Sequence, residues 1–80
     1  MLSVSAWYRA DVVDGMITPQ DTLESLKETY YGSDYLCIRK TFAETMLESG
    51  EYEEHVSDWL AEGLQKSEDD REYVVLALKD

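Results

Sequence analysis

The sequence predicts a small α+β domain with an N-terminal strand or hairpin, three amphipathic helices and a C-terminal strand. Three observations support this prediction. Apolar residues alternate with polar ones near the N-terminus, recur at helical spacing through the middle of the chain, and form an unbroken run near its end. A chain of 80 residues has room for one domain, and a domain of this size buries about 60 to 65% of its unfolded surface.

The N-terminal segment is predicted to form a strand or a hairpin. Residues 2–12 alternate between apolar and polar side chains, which is the period of a half-buried strand. Asp14 and Gly15 follow, and this pair favours the positive φ angles of a tight hairpin turn. A helix that places Ala10 and Val13 on one apolar face is the alternative, and we prefer the strand.

The first helix is predicted to start at Thr18, whose hydroxyl would cap free backbone N–H groups. Pro19 suits the first helical position, and Asp21 suits the positive end of the helix dipole. Gly32 is predicted to end the helix in a left-handed conformation. The apolar face of this helix holds Leu23, Leu26 and Tyr30.

The second helix is predicted for residues 33–49, with Gly50 as its end. Arg39 falls within its apolar side, where the stem would pack and the guanidinium would reach an acidic neighbour. The apolar side consists of Tyr35, Leu36, Ile38, Phe42, Ala43, Met46 and Leu47.

A third helix and a closing strand complete the predicted fold. Gly63 lies within the helix, where it either permits close packing or marks an early end. Residues 73–78 favour a strand, with a helix capped by Ser67 as the alternative. We prefer the strand because two N-terminal strands alone would be unstable. The apolar stripe of the third helix consists of Tyr52, Val56, Trp59, Leu60 and Leu64.

The acidic residues are concentrated in the second half of the chain. Residues 44–72 contain 11 of the 18 acidic residues and only two basic ones. On the third helix, one sector opposite the apolar stripe is predicted to carry Glu51, Glu54, Asp58 and Glu62, the last three at one-turn spacing. Each such like-charged pair destabilises a helix by about 0.2 to 0.5 kcal/mol. We predict a partner-binding surface formed by Glu44, Glu48, Glu51, Glu54, Asp58, Glu62, Glu68, Asp69 and Asp70.

The net charge of -11 restricts the partners of this chain. Nucleic acids and anionic membranes are bound mainly through Lys and Arg, so we expect no direct nucleic acid and no membrane contact. Any charged partner should be a basic protein. No apolar run is long enough to span a bilayer, and the first residues lack the pattern of a signal peptide, so we expect a cytoplasmic location.

No residue pattern predicts catalysis, a cofactor or a metal site, and we predict that the protein is not an enzyme. The four glycines are scattered rather than clustered in a phosphate-binding loop. Cys37 is the single cysteine and has no nearby His, so we expect an unreactive thiol and no intrachain disulfide. His55 is interpreted as a packing residue. The acidic run 67–72 lacks the alternating ligands and central Gly of a calcium loop.

Aromatic residues make up 11% of the chain, and most fall on the predicted apolar stripes. Tyr31 and Trp7 do not, so these two side chains are expected to be exposed. An exposed aromatic side chain beside an acidic surface is typical of an interface anchor.

Short length, a single domain, strong acidity and many aromatic residues together resemble the small inhibitors that phages make against host nucleic-acid enzymes. These include anti-CRISPR proteins, anti-restriction DNA mimics and the uracil-DNA glycosylase inhibitor. The segment Leu23-Glu24-Ser25-Leu26 is similar to the Glu-Ser-Ile edge of the glycosylase inhibitor, although here it lies on a predicted helix. The resemblance implies stoichiometric binding to the basic groove of a nucleic-acid-binding protein, without cofactor or turnover.

Two hypotheses of function follow from the sequence. In the first, the acidic surface mimics nucleic acid and inhibits a basic nucleic-acid-binding protein. In the second, the chain is a protein-interaction or assembly module that uses an apolar or strand-edge surface, and its acidic residues serve solubility. Salt separates the two, because screening weakens a charge-led complex and leaves an apolar one almost unchanged.

Overall fold

The computed structural model describes residues 8–68 and 70–78, and it confirms the α+β prediction. The predictions for residues 2–7, which include the exposure of Trp7, and for Asp69 lie outside the described residues. The elements are β1 (Ala10–Val12), α1 (Leu23–Thr29), β2 (Tyr35–Arg39), α2 (Lys40–Ser49), α3 (Glu54–Lys66) and β3 (Tyr73–Ala77).

The sheet has three described strands in the order β1-β2-β3. β1 pairs with β2 in parallel, and β2 pairs with β3 antiparallel. The predicted hairpin is therefore wrong: the chain does turn at Gly15, where φ is 73°, but it continues into the crossover through α1 that parallel strands require. The Asp14 carboxylate accepts a hydrogen bond from the Arg39 backbone N–H at 2.8 Å, which ties this turn to the end of β2.

The first helix starts later than the sequence predicts. Thr22 is the N-cap: its hydroxyl accepts from the Ser25 N–H at 3.1 Å, and the Ser25 hydroxyl accepts from the Thr22 N–H at 2.9 Å. This reciprocal box satisfies two free donors, whereas the Thr18 N–H and hydroxyl donate to the Asp21 carboxylate instead. The predicted left-handed end at Gly32 is also wrong, because α1 ends at Thr29 and Gly32 has no positive φ.

The segment predicted as the first turns of the second helix is the central strand β2. Leu36 and Ile38 are fully buried on one side of the sheet, and they alternate with less buried residues on the other side. Hydrogen bonding to strands on both sides selects the extended conformation over the helical one. The helix proper is α2, and it ends at Gly50 with φ 68°, as predicted.

The third helix and the closing strand are confirmed. Gly63 lies inside α3, and a Cβ atom there would stand 2.3 Å from Cδ2 of Leu76 and 2.9 Å from Cγ1 of Val74. Close packing of the helix on β3 is therefore the correct interpretation of this glycine. Ser67 ends α3 and does not cap a further helix.

The core lies between the sheet and the helices. Buried residues of α1, α2 and α3 belong to one cluster with the inward side chains of β2 and β3, so the helices cover one face of the sheet. At the free edge of β3, the Trp59 indole Nε1 donates a hydrogen bond of 2.8 Å to the Ala77 carbonyl. The cluster contains Val13, Ile17, Leu26, Leu36, Ile38, Ala43, Met46, Val56, Leu60, Val74, Leu76 and Leu78.

Candidate interaction surfaces

The helical layer carries the predicted partner-binding carboxylates on its solvent side. On α3, Glu54, Asp58 and Glu62 are exposed, while Val56 and Leu60 are fully buried. The three carboxylates span nine residues, or about 12 Å along the helix axis. Glu44 and Glu48 are exposed on α2. Glu51 is exposed in the turn between the two helices, so its predicted place on the third helix is wrong: α3 begins at Glu54, after the N-cap Glu53. We call these six exposed carboxylates the acidic helical surface.

Most of these carboxylates are not neutralised. Among the described residues, the ion pair found on this surface joins the Lys66 Nζ to the Glu62 carboxylate at 4.0 Å, and both side chains are mostly exposed. The other five members make no ion pair with a described residue. Such an exposed pair at one-turn spacing contributes about 0.3 to 0.5 kcal/mol to the stability of the helix. It involves one of the six carboxylates, so the surface keeps nearly its full negative charge.

Glu53 is an acidic residue of the same segment with a different role. Its carboxylate accepts hydrogen bonds from the His55 N–H at 3.0 Å and the Val56 N–H at 3.3 Å, which makes it the N-cap of α3. This role was not predicted from the sequence. The signal for it is an acidic residue three positions before Val56, the first buried residue of the helix.

The predicted turn residues at the end of α3 occupy a less negative environment. Glu68 and Asp70 are exposed, but the Lys40 Nζ donates to the Glu68 carbonyl at 3.1 Å, which brings a positive charge to this turn. Arg71 follows directly and is also exposed. We therefore keep these two residues separate from the acidic helical surface.

Two single residues differ in how they match the predictions. His55 is exposed on α3, so its interpretation as a packing residue is wrong. Tyr31 is 82% exposed, as predicted. Among the described residues, no group of three or more His, Cys, Asp and Glu side chains is arranged to hold a metal ion.

The second surface is the side of the sheet that faces away from the helices, which we call the open sheet face. The strand register places eight side chains on it, and the alternation of burial in β2 and β3 separates them from the core residues. Val12 and Val75 are 58% and 55% exposed there. The eight residues are Ala10, Val12, Tyr35, Cys37, Arg39, Tyr73, Val75 and Ala77.

Arg39 is the charged residue of the open sheet face, and it is held in place at the end of β2. Its Nε lies 3.1 Å from the Asp14 carboxylate, and its Nη1 lies 3.7 Å from the Glu72 carboxylate. The guanidinium also lies 5.8 Å from the centre of the Tyr73 ring, within the range of a cation–π contact. The prediction that Arg39 reaches acidic neighbours is confirmed.

Cys37 occupies the centre of the open sheet face. Burial raises the pKa of its thiol, and the negative charges of Asp11 and Asp14 raise it further. The thiol is therefore protonated at neutral pH, which is the state of low nucleophilicity.

The described helices include none that is both long and apolar enough to cross a membrane. Comparisons of the chain with protein-family models, with curated proteins and with solved structures found no match.

Proposed function

We propose that this chain is a non-enzymatic inhibitor that presents its acidic helical surface to the basic groove of a nucleic-acid-binding protein, as phage anti-defence proteins such as anti-CRISPR proteins do. The observation that carries the proposal is the set of exposed carboxylates on α2 and α3, five of which lack an ion pair with any described residue. Several acidic residues elsewhere in the fold have structural roles instead: Glu53 caps α3, and Asp11, Asp14 and Glu72 form ion pairs with arginine.

The spacing of the carboxylates supports nucleic-acid mimicry. Glu54, Asp58 and Glu62 repeat about every 6 Å along α3, which gives a row of like charges a few ångströms apart, as phosphates do on a nucleic-acid strand. A Lys or Arg groove that binds phosphates would meet the same sign of charge here. The repulsion within the row costs the helix stability, and a cationic partner would relieve it.

The mechanism of inhibition is competition for the groove. Long-range attraction between the acidic helical surface and a basic protein raises the association rate, and close ion pairs slow dissociation and give specificity. The exposed Tyr31 ring is available as an aromatic anchor. One inhibitor molecule would block one groove, with no turnover and no cofactor.

Displacement of DNA tests this proposal. The probe is a fluorescent DNA duplex bound to each of three basic nucleic-acid enzymes: a guide-loaded CRISPR effector nuclease, a type I restriction enzyme and a uracil-DNA glycosylase. We expect the chain to displace the duplex from at least one of them at low salt and about tenfold less effectively at 0.3 M salt. If the chain displaces the duplex from none of the three enzymes, the proposal is overturned.

A matched pair of double variants localises the effect. Glu54→Lys with Asp58→Lys reverses two exposed carboxylates one turn apart on α3, and Glu24→Lys with Glu28→Lys makes the same change on α1. Net charge changes equally in both. We expect the α3 variant to lose about tenfold or more in displacement and the α1 variant about threefold or less. Equal losses would show that total charge acts rather than this surface.

An assembly module is the second candidate function, and the open sheet face favours it. Exposed valines at the centre of a sheet are typical of a surface that another protein covers. In this case the acidic residues would serve solubility, and binding would be almost independent of salt.

A further inference from the structure

The two faces of the sheet differ in what covers them. The side chains of Leu36, Ile38 and Val74 are fully buried beneath the helices, whereas Val12 and Val75 on the other face are more than half exposed. Antiparallel and mixed sheets with one solvated face usually carry polar side chains there. Of the eight residues on the open sheet face, Arg39 alone is charged.

None of the eight strand side chains on the open sheet face is a carboxylate, and the neighbouring Asp14 and Glu72 carboxylates are paired with Arg39. Two copies, each with a net charge of -11, repel one another strongly. Contact through the open sheet faces would bring no acidic side chain of the strands together. It would also place the two acidic helical surfaces on opposite outer sides of the pair. This distribution of charge favours a second copy as the occupant of the face.

The strand register arranges the face in rows that are complementary to one another. Val12, Cys37 and Val75 lie side by side in the middle row. An aromatic group lies towards one end, where the Tyr8 ring packs edge-on against the Tyr35 ring at 5.7 Å. The Arg39 guanidinium lies at the other end, 5.8 Å from the centre of the Tyr73 ring.

The rows match when the two copies are related by a two-fold axis that lies between the two sheets, over the middle rows, and runs perpendicular to the strands. The strands of the two copies then run in opposite directions, and Arg39 of each copy meets the aromatic group of the other. The half-exposed Arg39 side chain keeps a free side for this contact. The small middle rows meet at the axis, so the two Cys37 residues become neighbours.

We propose that the open sheet face binds a second copy of this chain and forms a two-fold dimer with a helix–sheet–sheet–helix arrangement. Three strands of this length project about 250 Å² per copy, well below the roughly 800 Å² per partner of a stable interface. The dimer is therefore weak and reversible, with a dissociation constant of micromolar order or higher. It does not depend on the proposed inhibitor function, because the eight residues of the open sheet face and the six of the acidic helical surface are different residues.

Sedimentation of the purified chain tests the dimer. Between about 5 and 500 μM we expect the mass to rise from that of the 9.2 kDa monomer to twice that value, and to do so more readily at 0.5 M salt, where repulsion is screened. This salt dependence is opposite to that of the acidic helical surface, so failure of one proposal is distinguishable from failure of the other. A monomer throughout this range at 0.5 M salt would overturn the dimer.

Variants and the native cysteine locate the interface. Val75→Asp should abolish dimerisation, and Phe42→Asp, an equal change of charge at an exposed apolar residue of α2, should not. Circular dichroism establishes that each variant is folded. Packed sheets lie about 10 Å apart, too far for a Cys37–Cys37 disulfide but within reach of a short bismaleimide.

Crosslinking of Cys37 to Cys37 at high concentration is therefore the expected result. A dimer that persists in Val75→Asp, or that leaves Cys37 uncrosslinked, would overturn the assignment of this face. If Cys37 is protected from reaction with the maleimide only when a different protein is present, the choice of a second copy as the occupant is overturned.

Discussion

The two faces of the sheet are built from the same three strands by the same alternation of side chains, yet they serve the fold differently. The covered face places Leu36, Ile38, Val74 and Leu76 at 0 to 1% exposure, where they form the core with the helices. The open face leaves Val12 and Val75 in water. Folding therefore depends on one face, and the apolar character of the other face is available for binding.

A similar division separates the carboxylates. Asp14 binds Arg39 and Glu53 caps α3, so these groups hold the backbone in place. Glu54 and Asp58 project from the outer side of the helices and make no ion pair with a described residue. The molecule thus has structural residues at its centre and two surfaces that the fold does not require.

The largest effect is expected in the covered face. Leu36→Ala removes a fully buried side chain and should lower the free energy of unfolding by about 2 to 5 kcal/mol. Val75→Ala on the open face should cost about 0.5 kcal/mol, because its side chain is already half in water. Urea unfolding measures both, and equal losses would contradict the comparison.

The contact between α3 and the covered face gives the next effect. Gly63→Ala places a methyl group against Leu76 and Val74, and overpacking of this kind costs about 1 to 3 kcal/mol. Helix propensity alone predicts the opposite, a gain of about 1 kcal/mol. Thermal unfolding should show a lower midpoint for Gly63→Ala. The reverse change at the exposed Ala61, Ala61→Gly, is the control and should cost about 1 kcal/mol.

Replacing the two kinds of carboxylate should have different effects on the free energy of unfolding. Glu53→Ala removes the N-cap of α3 and should cost about 1 kcal/mol. Glu54→Gln with Asp58→Gln should leave stability unchanged or raise it by about 0.2 to 0.5 kcal/mol, because a repulsive pair is removed. Chemical denaturation at low salt measures both. A large loss in the double variant would show that these carboxylates support the fold.

The smallest effect concerns Cys37 on the open face. Because its pKa is raised in the folded chain, the folded state holds the thiol proton at a pH where the unfolded state releases it. Stability should therefore fall slightly as pH rises above the unfolded pKa of about 8.5. In Cys37→Ala this part of the decline should disappear. The rate of Cys37 alkylation measured as a function of pH provides a direct check, since the midpoint of that profile should lie above the usual pKa of a cysteine thiol.

The sequence predicts α3, β3 and the exposure of the acidic stripe because each depends on neighbouring residues. Helical spacing places Val56 and Leu60 inward, and it necessarily places Glu54 and Asp58 outward. The error at β2 has the same origin. Leu36 fits both a helical stripe and a strand, and only pairing with residues far away in sequence decides between them.

The open sheet face was not predicted because its residues come from three separate segments. Val12, Cys37 and Val75 become neighbours through a register of one parallel and one antiparallel pairing. Local patterns do not contain that register. The sequence does show the alternation of side chains within each strand. It therefore indicates which residues of one strand share a face, but not how the three strands are placed side by side.

The hydrogen bond from Trp59 to β3 restricts where a further strand can be added to the sheet. Because Leu78 donates towards β2, the carbonyl of Ala77 points to the free edge of the sheet, where an incoming strand would bind. The indole N–H already occupies it. Growth of the sheet by addition of further chains, which would give a fibre, is hindered at this end of β3. The proposed two-fold contact through the open sheet face would instead give a closed pair.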